Sequence, residues 1–421
     1  MAREYKDSGI EWIGQIPKEW EVCPHKHIMF KKKEIQEHYA GQDIISLTMN
    51  GVVVRDLDAG GKMPLSFDGY QIIYPNNLLL CLFDIDVTPR CVGLINNYGV
   101  TSPAYSQFVV KEKGYPPYYD YLLRYMDDHK CLLHLSKNLR SSLTETDFGQ
   151  IKTCIPPYTE QQKIADYLDK VCCEVDELVA IQETMIEELK AYKQSVITEA
   201  VTRGLNPNAP MRDSGIDWIG EIPEHWEKNK VCRMFKLIGS GTTPSSSDNE
   251  AFGGNINWIQ SGDINGGDLI ESKNKISENT LVKYSALTLY NAPFIIVAMY
   301  GASVGNISIS RIDGCVNQAC CVLSDSAIDF NYAFYTIKAA QKYLIYKAVG
   351  GGQPNISQFT LKQLWLPEPP ISEQRAIASY LDTKCSEIDA LIALKQAKID
   401  ELKEYKKSVI YEYVTGKKEV I

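Results

Sequence analysis

Much is missing from this chain of 421 residues. Its twelve cysteines contain no Cys-x-x-Cys pair, and Cys172–Cys173 and Cys320–Cys321 are adjacent in sequence. That excludes the common zinc spacings and a disulfide framework. Reduced, mostly buried thiols in a cytoplasm are expected. No Gly-x-x-x-x-Gly-Lys-Ser/Thr occurs, so the phosphate-cradling loop of an ATP-driven motor is absent. The longest apolar run lies near Pro293–Met299, too short to span a bilayer. Met1–Asp7 is polar, and no signal peptide is expected. Basic charge is in deficit: 44 Lys and Arg against 53 Asp and Glu leave −9. This is a poor match to a generic cationic nucleic-acid binder. Apolar residues are not lacking. They make up 44% of the chain, which excludes a disordered chain, and the length predicts two or three domains.

Proline and glycine are also absent from two long stretches, and these organise the rest. Glu160–Thr202 reads as one helix. Ile164, Leu168, Val171, Val175, Leu178, Gln182, Met185, Leu189, Tyr192 and Val196 step alternately by four and three. That is a heptad seam broken by one polar residue. The stretch returns without a gap at Glu373–Thr415, with 24 of 43 positions identical. Leu168, Val175, Leu178 and Leu189 are the expected packing residues of the first helix. Leu381, Ile388, Leu391 and Leu402 are those of the second. Gln182 and its counterpart Lys395 either fix the register of a helix pair or face solvent. Between Glu160 and Arg203 there are ten acids against five bases, so much of the acidic excess is helical surface.

A second repeat precedes each variable segment. Asp7–Glu21 and Asp213–Glu227 share eleven of fifteen positions. Within it Trp12, Ile13, Trp218 and Ile219 are expected to be packing anchors. The boundaries follow: a motif at 1–21, a domain at 22–155, a helix at 156–204, a linker and second motif at 205–227, a domain at 228–366 and a helix at 367–421. Both variable segments mix short β runs with one helical patch, at Tyr118–Leu135 and Tyr332–Val349. The reading is α+β: two α/β domains joined by two long antiparallel coiled-coil helices, related by a pseudo-twofold internal repeat. Thr159 is expected to cap the first helix, with Gln162 completing a capping box. The chain also looks circular, with its C-terminus expected near the first motif.

The paired Asp-Ser-Gly-Ile-x-Trp-Ile-Gly motifs, the Pro-Pro-x-x-Glu-Gln boundaries and the paired helices resemble the specificity subunit of type I restriction–modification enzymes. The resemblance implies two target-recognition domains, each reading half of a bipartite site in double-stranded DNA, and a helical spacer between them. It implies no catalytic centre and no cofactor in this chain. It implies partners: two modification subunits using S-adenosylmethionine, and restriction and translocase subunits using ATP and Mg. A cytoplasmic location in a bacterium or archaeon follows from it. The second segment also carries family-like runs at Gly239–Pro244, Trp258–Asp263, Asn317–Ala319 and Gly352–Ile356.

Base reading needs hydroxyls, amides and cations on a scaffold. In the second domain Ser240, Thr242, Thr243, Ser245, Asn317, Gln318, Gln353 and Asn355 fit that need, although such residues also favour ordinary turns. In the first domain the candidates are Arg55, Lys62, Arg90, Thr101, Ser102, Tyr105, Asn138 and Arg140, with a solvated surface as the alternative. Lys31–Lys33 is a basic run, read as a solvated turn or a phosphate contact. His25-x-His27 lacks a companion ligand and reads as structural. Two other readings stay open: a coiled-coil scaffold that binds proteins only, and a self-contained adenine methyltransferase. The latter rests on Tyr115-Pro116-Pro117-Tyr118 and Asn291-Ala292-Pro293-Phe294, which approach the loop that stacks a flipped base.

Overall fold

The computed structural model describes residues 3–58, 64–88, 90–134, 141–348 and 354–420. Four helices frame the fold: α1 (Pro116–Asp128), α2 (Tyr158–Arg203), α3 (Phe330–Ala339) and α4 (Ile371–Val414). The chain divides into two compact units. One comprises Met1–Glu183 with Gln396–Ile421, the other Thr184–Lys395. Each long helix therefore contributes one part to each unit. α2 starts at Tyr158, two residues before the expected start, so Thr159 lies inside the helix and does not cap it. Gln161 ties the helix start to the chain before it, its amide donating to the Pro156 carbonyl at 2.9 Å and the Lys113 carbonyl at 3.0 Å.

The first unit holds a four-stranded antiparallel sheet made of β1 (Met29–Lys32), β2 (Leu78–Leu80), β3 (Val92–Leu94) and β4 (Ser106–Val110), in the order β1-β4-β2-β3. Its core joins this sheet to α1 and to α2 through Ile164, Leu168 and Cys172. Val409, Ile410 and Val414 of α4 complete it. Tyr167 packs on Tyr413, and Asp176 receives Lys406. The order of these contacts means that the two helical segments run in opposite directions in this unit.

The second unit is built on β5 (Phe235–Gly239), β6 (Phe252–Ile259), β7 (Asp268–Leu269), β8 (Phe294–Ala298), β9 (Ile307–Ser310), β10 (Gly314–Val316) and β11 (Cys320–Ser326). A five-stranded sheet runs β5-β11-β8-β9-β7, antiparallel except for β7 with β9. β6 and β10 pair in parallel in a separate small sheet. α3 packs on this core with Val196, Ile197, Ala200 and Val201 of α2 and Ile377, Ala378, Leu381 and Cys385 of α4.

The same contacts recur in the two units. Trp20 Nε1 donates to Glu160 at 2.9 Å, and Trp226 Nε1 to Glu373 at 2.9 Å. Tyr118 donates to the Val414 carbonyl, as Tyr332 does to the Val201 carbonyl. Tyr121 and Tyr335 donate to Asp169 and Asp382. Ile13 and Ile219 are buried as expected, but Trp12 and Trp218 are only half-buried, and the fully buried indoles are Trp20 and Trp226. Beyond α4, Gly416 lies so close to Pro17 and Trp20 that a Cβ there would come within 2.9 Å of both. Lys417 donates to the Ile13 carbonyl at 2.7 Å. The end of the described chain is thus beside the first motif, as the repeat pattern implied.

The long helices correct one expectation. Leu168, Val175, Leu381 and Ile388 are buried, and Leu189 and Leu402 are half-buried. Leu178 and Leu391, however, are each 46% exposed. The buried or half-buried face of α2 follows Leu168, Cys172, Val175, Val179, Gln182, Ile186, Leu189, Lys193, Val196 and Ala200. Every second position of the expected seam is therefore displaced by one residue. A four–three alternation allows both phases, because they share Leu168, Val175, Gln182, Leu189 and Val196. Large apolar residues at Leu178, Met185 and Tyr192 favour the outer phase in sequence. Lys193 occupies the inner phase because its stem can pack while its ammonium reaches Asp389.

Candidate nucleic-acid interface

The second unit gathers its candidate residues at one end of the five-stranded sheet. Register places Gly239 opposite Val322, and Ala298 opposite Cys320. The loops that leave these strand ends therefore converge. Glycine permits this convergence: a Cβ on Gly241 would lie 1.8 Å from the Val316 carbonyl oxygen. The Ser240 hydroxyl donates to the Cys320 carbonyl at 2.7 Å, and Tyr290 donates to the Ser240 carbonyl at 3.1 Å. Trp258 Nε1 donates to the Thr242 carbonyl at 3.2 Å. The Thr243 hydroxyl donates to Gln318 Oε1 at 2.6 Å. Asn317 Oδ1 accepts from the Ala319 amide at 3.1 Å. Met299 N then reaches the Ala319 carbonyl, and Ile356 N reaches the Met299 carbonyl, both at 2.7 Å. Exposed Asn355 is brought alongside in this way. Ser245 lies further along the first loop, its amide donating to Tyr284 at 3.1 Å. Gln353 lies outside the described residues.

This loop cluster is neutral. Residues 240–247, 299–305, 317–319 and 354–358 contain no Lys, Arg, Asp or Glu. Burial pushes the thiols of Cys320 and Cys321 up to about 12, so neither is a thiolate near neutral pH. Burial also raises the Tyr300 phenol, while the adjacent Gln318 amide opposes that rise. Tyr300 was not among the sequence candidates. Its signal is slight: an aromatic before Gly301, just after an apolar strand.

Among the described residues, the first unit does not gather its candidates in the same way, and two of them are corrected. Thr101 is fully buried, its hydroxyl donating to the Ile45 carbonyl at 2.7 Å. Arg90 is largely covered and lies 3.1 Å from Asp128 and 3.9 Å from Asp127. Both are committed to the domain interior. Ser102 is half-buried, and its hydroxyl accepts from the Ala104 amide at 3.3 Å. Tyr105 is half-buried, with its ring 6.4 Å from that of Phe83. Arg55 is half-buried, and its amide donates to the Ile44 carbonyl at 2.7 Å. Lys62, Asn138 and Arg140 lie outside the described residues. In the basic run, Lys32 sits 3.6 Å over the Tyr74 ring and 3.5 Å from Glu34, and Lys31 lies 3.8 Å from Glu145.

The methyltransferase-like motifs lose their chemistry in the fold. Tyr115 caps α1, and Tyr118 is fully buried with its hydroxyl on Val414. Phe294 is fully buried in β8. Neither aromatic ring can stack on an extruded base. His25 is buried against Phe148, at 4.7 Å between ring centroids. Among the described residues, no three His, Cys, Asp or Glu side chains group to hold a metal, and no helix is long and apolar enough to cross a membrane.

Residues 223–404 match the family model described as the type I restriction modification DNA specificity domain. The chain is 27% identical over 313 residues to a putative type I restriction enzyme MjaX specificity subunit of Methanocaldococcus jannaschii, across 73% of this chain and 69% of that protein. It is 26% identical over 290 residues to the type I restriction enzyme MjaVIII specificity subunit of the same organism, across 64% and 63% of the two chains. Among solved structures, one described under "Structural basis underlying complex assembly and conformational transition of the type I R-M system" is similar in fold. Its TM-score is 0.71 at 15% identity, over 95% of this chain and 98% of that one.

Proposed function

We propose that this chain, which is similar to type I restriction enzyme specificity subunits, belongs to that family and reads DNA sequence for catalytic subunits borne on other chains. It performs no catalysis and carries no catalytic cofactor of its own. The modification subunits bring S-adenosylmethionine, and the restriction and translocase subunits bring ATP and Mg. The segments 22–155 and 228–366 are its two target-recognition domains, each reading one half of a bipartite site. The long helices form an antiparallel coiled coil, relate the halves by a pseudo-twofold, and set the gap between half-sites.

One observation carries this reading. The frame contacts of Trp20 with Glu160, Tyr118 with Val414 and Tyr121 with Asp169 recur as Trp226 with Glu373, Tyr332 with Val201 and Tyr335 with Asp382. The sheets set in these frames differ, with four antiparallel strands in one and five mixed strands in the other. Equal mounts with unlike heads suit a reader of two unlike half-sites. The neutral cluster of hydroxyls and amides in the second unit suits base edges, since it has donors and acceptors but none of the Lys or Arg that supply most phosphate affinity. The partner subunits then supply much of the phosphate grip. They dock on the exposed apolar residues of the long helices, which include Leu178, Ile181, Met185 and Tyr192 on α2 and Leu391, Leu394 and Tyr405 on α4.

Exchange of residues 228–366 for the equivalent segment of another member tests the reading. With the modification subunits co-expressed, mapping of methylated adenines should show one half of the recognised sequence changed and the other intact. Change in both halves, or in neither, would overturn it.

A further inference from the structure

We propose that Gln318 is the base-reading side chain of the second unit, held by Thr243 so that its amide edge meets an adenine in the major groove of DNA. This inference rests on the DNA-reading function above and deepens it.

The Ser240 hydroxyl is spent on the Cys320 carbonyl, and Asn317 Oδ1 on the Ala319 amide. Gln318 differs. Its side chain is exposed, yet the Thr243 hydroxyl fixes Oε1 at 2.6 Å and the Tyr300 hydroxyl adjoins the same amide. An exposed glutamine ordinarily samples many rotamers, and ordering it on binding costs entropy. Here the Thr243 hydroxyl, on a different loop, has already restricted it, which is the preorganisation a recognition side chain needs.

The remaining hydrogen-bonding capacity identifies the ligand. A primary amide offers two donors and two acceptor lone pairs. Thr243 takes one lone pair of the amide oxygen. One acceptor lone pair and the amide's N–H donors are left. In the major groove adenine presents the matching pair, a donor at N6 and an acceptor at N7, whereas guanine presents two acceptors. Guanine is commonly read by Arg or Lys, and the four converging loops contain neither. The site is therefore built for an adenine and not for a guanine.

The test uses the full chain assembled with its modification subunits. Methylated adenines are mapped in a host expressing the complex, and the purified complex is titrated at fixed salt with duplexes varied one base pair at a time. Gln318→Ala is expected to make one A·T position degenerate in the half-site assigned to residues 228–366, with discrimination there falling on the order of tenfold or more. Thr243→Val keeps the amide and loses its anchor, so the same position should loosen to a smaller degree. A structural role would not confine the effect to one base pair. The proposal is overturned if Gln318→Ala leaves every position unchanged, if it weakens binding equally for all sequences, or if the wild-type half-site has no A·T pair that responds. These outcomes are separable from failure of the broader reading, which the exchange of 228–366 reports independently.

Discussion

Lys193 on α2 donates to both carboxylate oxygens of Asp389 on α4, at 2.7 and 2.6 Å. Adding 213 to the first number and subtracting it from the second gives Lys406 and Asp176, the pair that joins the same two helices in the first unit, at 2.8 and 2.7 Å. The Lys193 side chain is 18% exposed and that of Asp389 59%, so the attraction is partly screened. A double-mutant cycle on Lys193→Ala and Asp389→Ala is expected to give a coupling of about 0.2–1 kcal/mol that shrinks with added salt. Swapping the charges, with K193D and D389K together, should recover more stability than either change alone. No coupling at low salt would mean that the helices are aligned by apolar contacts only.

The two glutamates under the buried tryptophans should differ in weight. Glu160 accepts from Trp20 at 2.9 Å and pairs with Arg3 at 2.6 Å, with both members of that pair under a fifth exposed. Glu373 accepts from Trp226 at the same distance, but its partner His225 is 49% exposed. Glu160→Ala is expected to cost about 1–3 kcal/mol, because it leaves the buried Trp20 N–H unpaired and leaves Arg3 with Glu19 alone as its carboxylate partner. Glu373→Ala should cost less. Hydrogen exchange resolved by unit would rank them.

Acid should weaken the first unit through His25. Burial lowers its pKa to about 4, below the usual 6.5. The folded state therefore holds the ring neutral where the unfolded chain takes up a proton. Above about pH 6.5 the full stability is present, and it falls as pH drops from there toward 4, by at most about 3 kcal/mol. Urea unfolding at pH 7 and pH 5 should show a smaller acid-side loss in His25→Phe than in the parent. An equal loss in both proteins would mean that other groups set the acid limb.

Tyr118 is fully buried, and its hydroxyl donates to the Val414 carbonyl at 2.8 Å. Tyr118→Phe keeps the ring and removes that bond, for a cost of about 1 kcal/mol. Tyr118→Ala opens a cavity as well and should cost about 3–5 kcal/mol. Thermal or chemical unfolding of the two variants distinguishes the hydrogen bond from the packing.

The spacer proposal has its own test. Because ion pairs join α2 to α4 in each unit, lengthening one helix alone would break register. Matched seven-residue insertions after Glu183 and after Lys395 keep the heptad phase and add about 10 Å of helix. The gap between methylated half-sites should grow by about 3 base pairs, at ~3.4 Å each, with the bases read unchanged. An unchanged gap would remove the helices from that role.

The repeated frames were legible in the sequence because they are local. An uninterrupted helix, a proline boundary and a glycine stop are set by backbone sterics within a few residues. The α+β character and the approach of Gly416 to the first motif followed from those signals. Other features depended on tertiary packing. Whether Leu178 or Val179 faces inward is a choice between two phases that share half their positions, and burial against the rest of the unit decides it. Thr101 and Arg90 resemble surface ligands until β-strand pairing and α1 enclose them. Gln318, Thr243 and Tyr300 stand at sequence positions with nothing local to connect them. They meet because hydrogen-bonded register brings the ends of β5, β8 and β11 to one edge, and only long-range strand pairing produces that register.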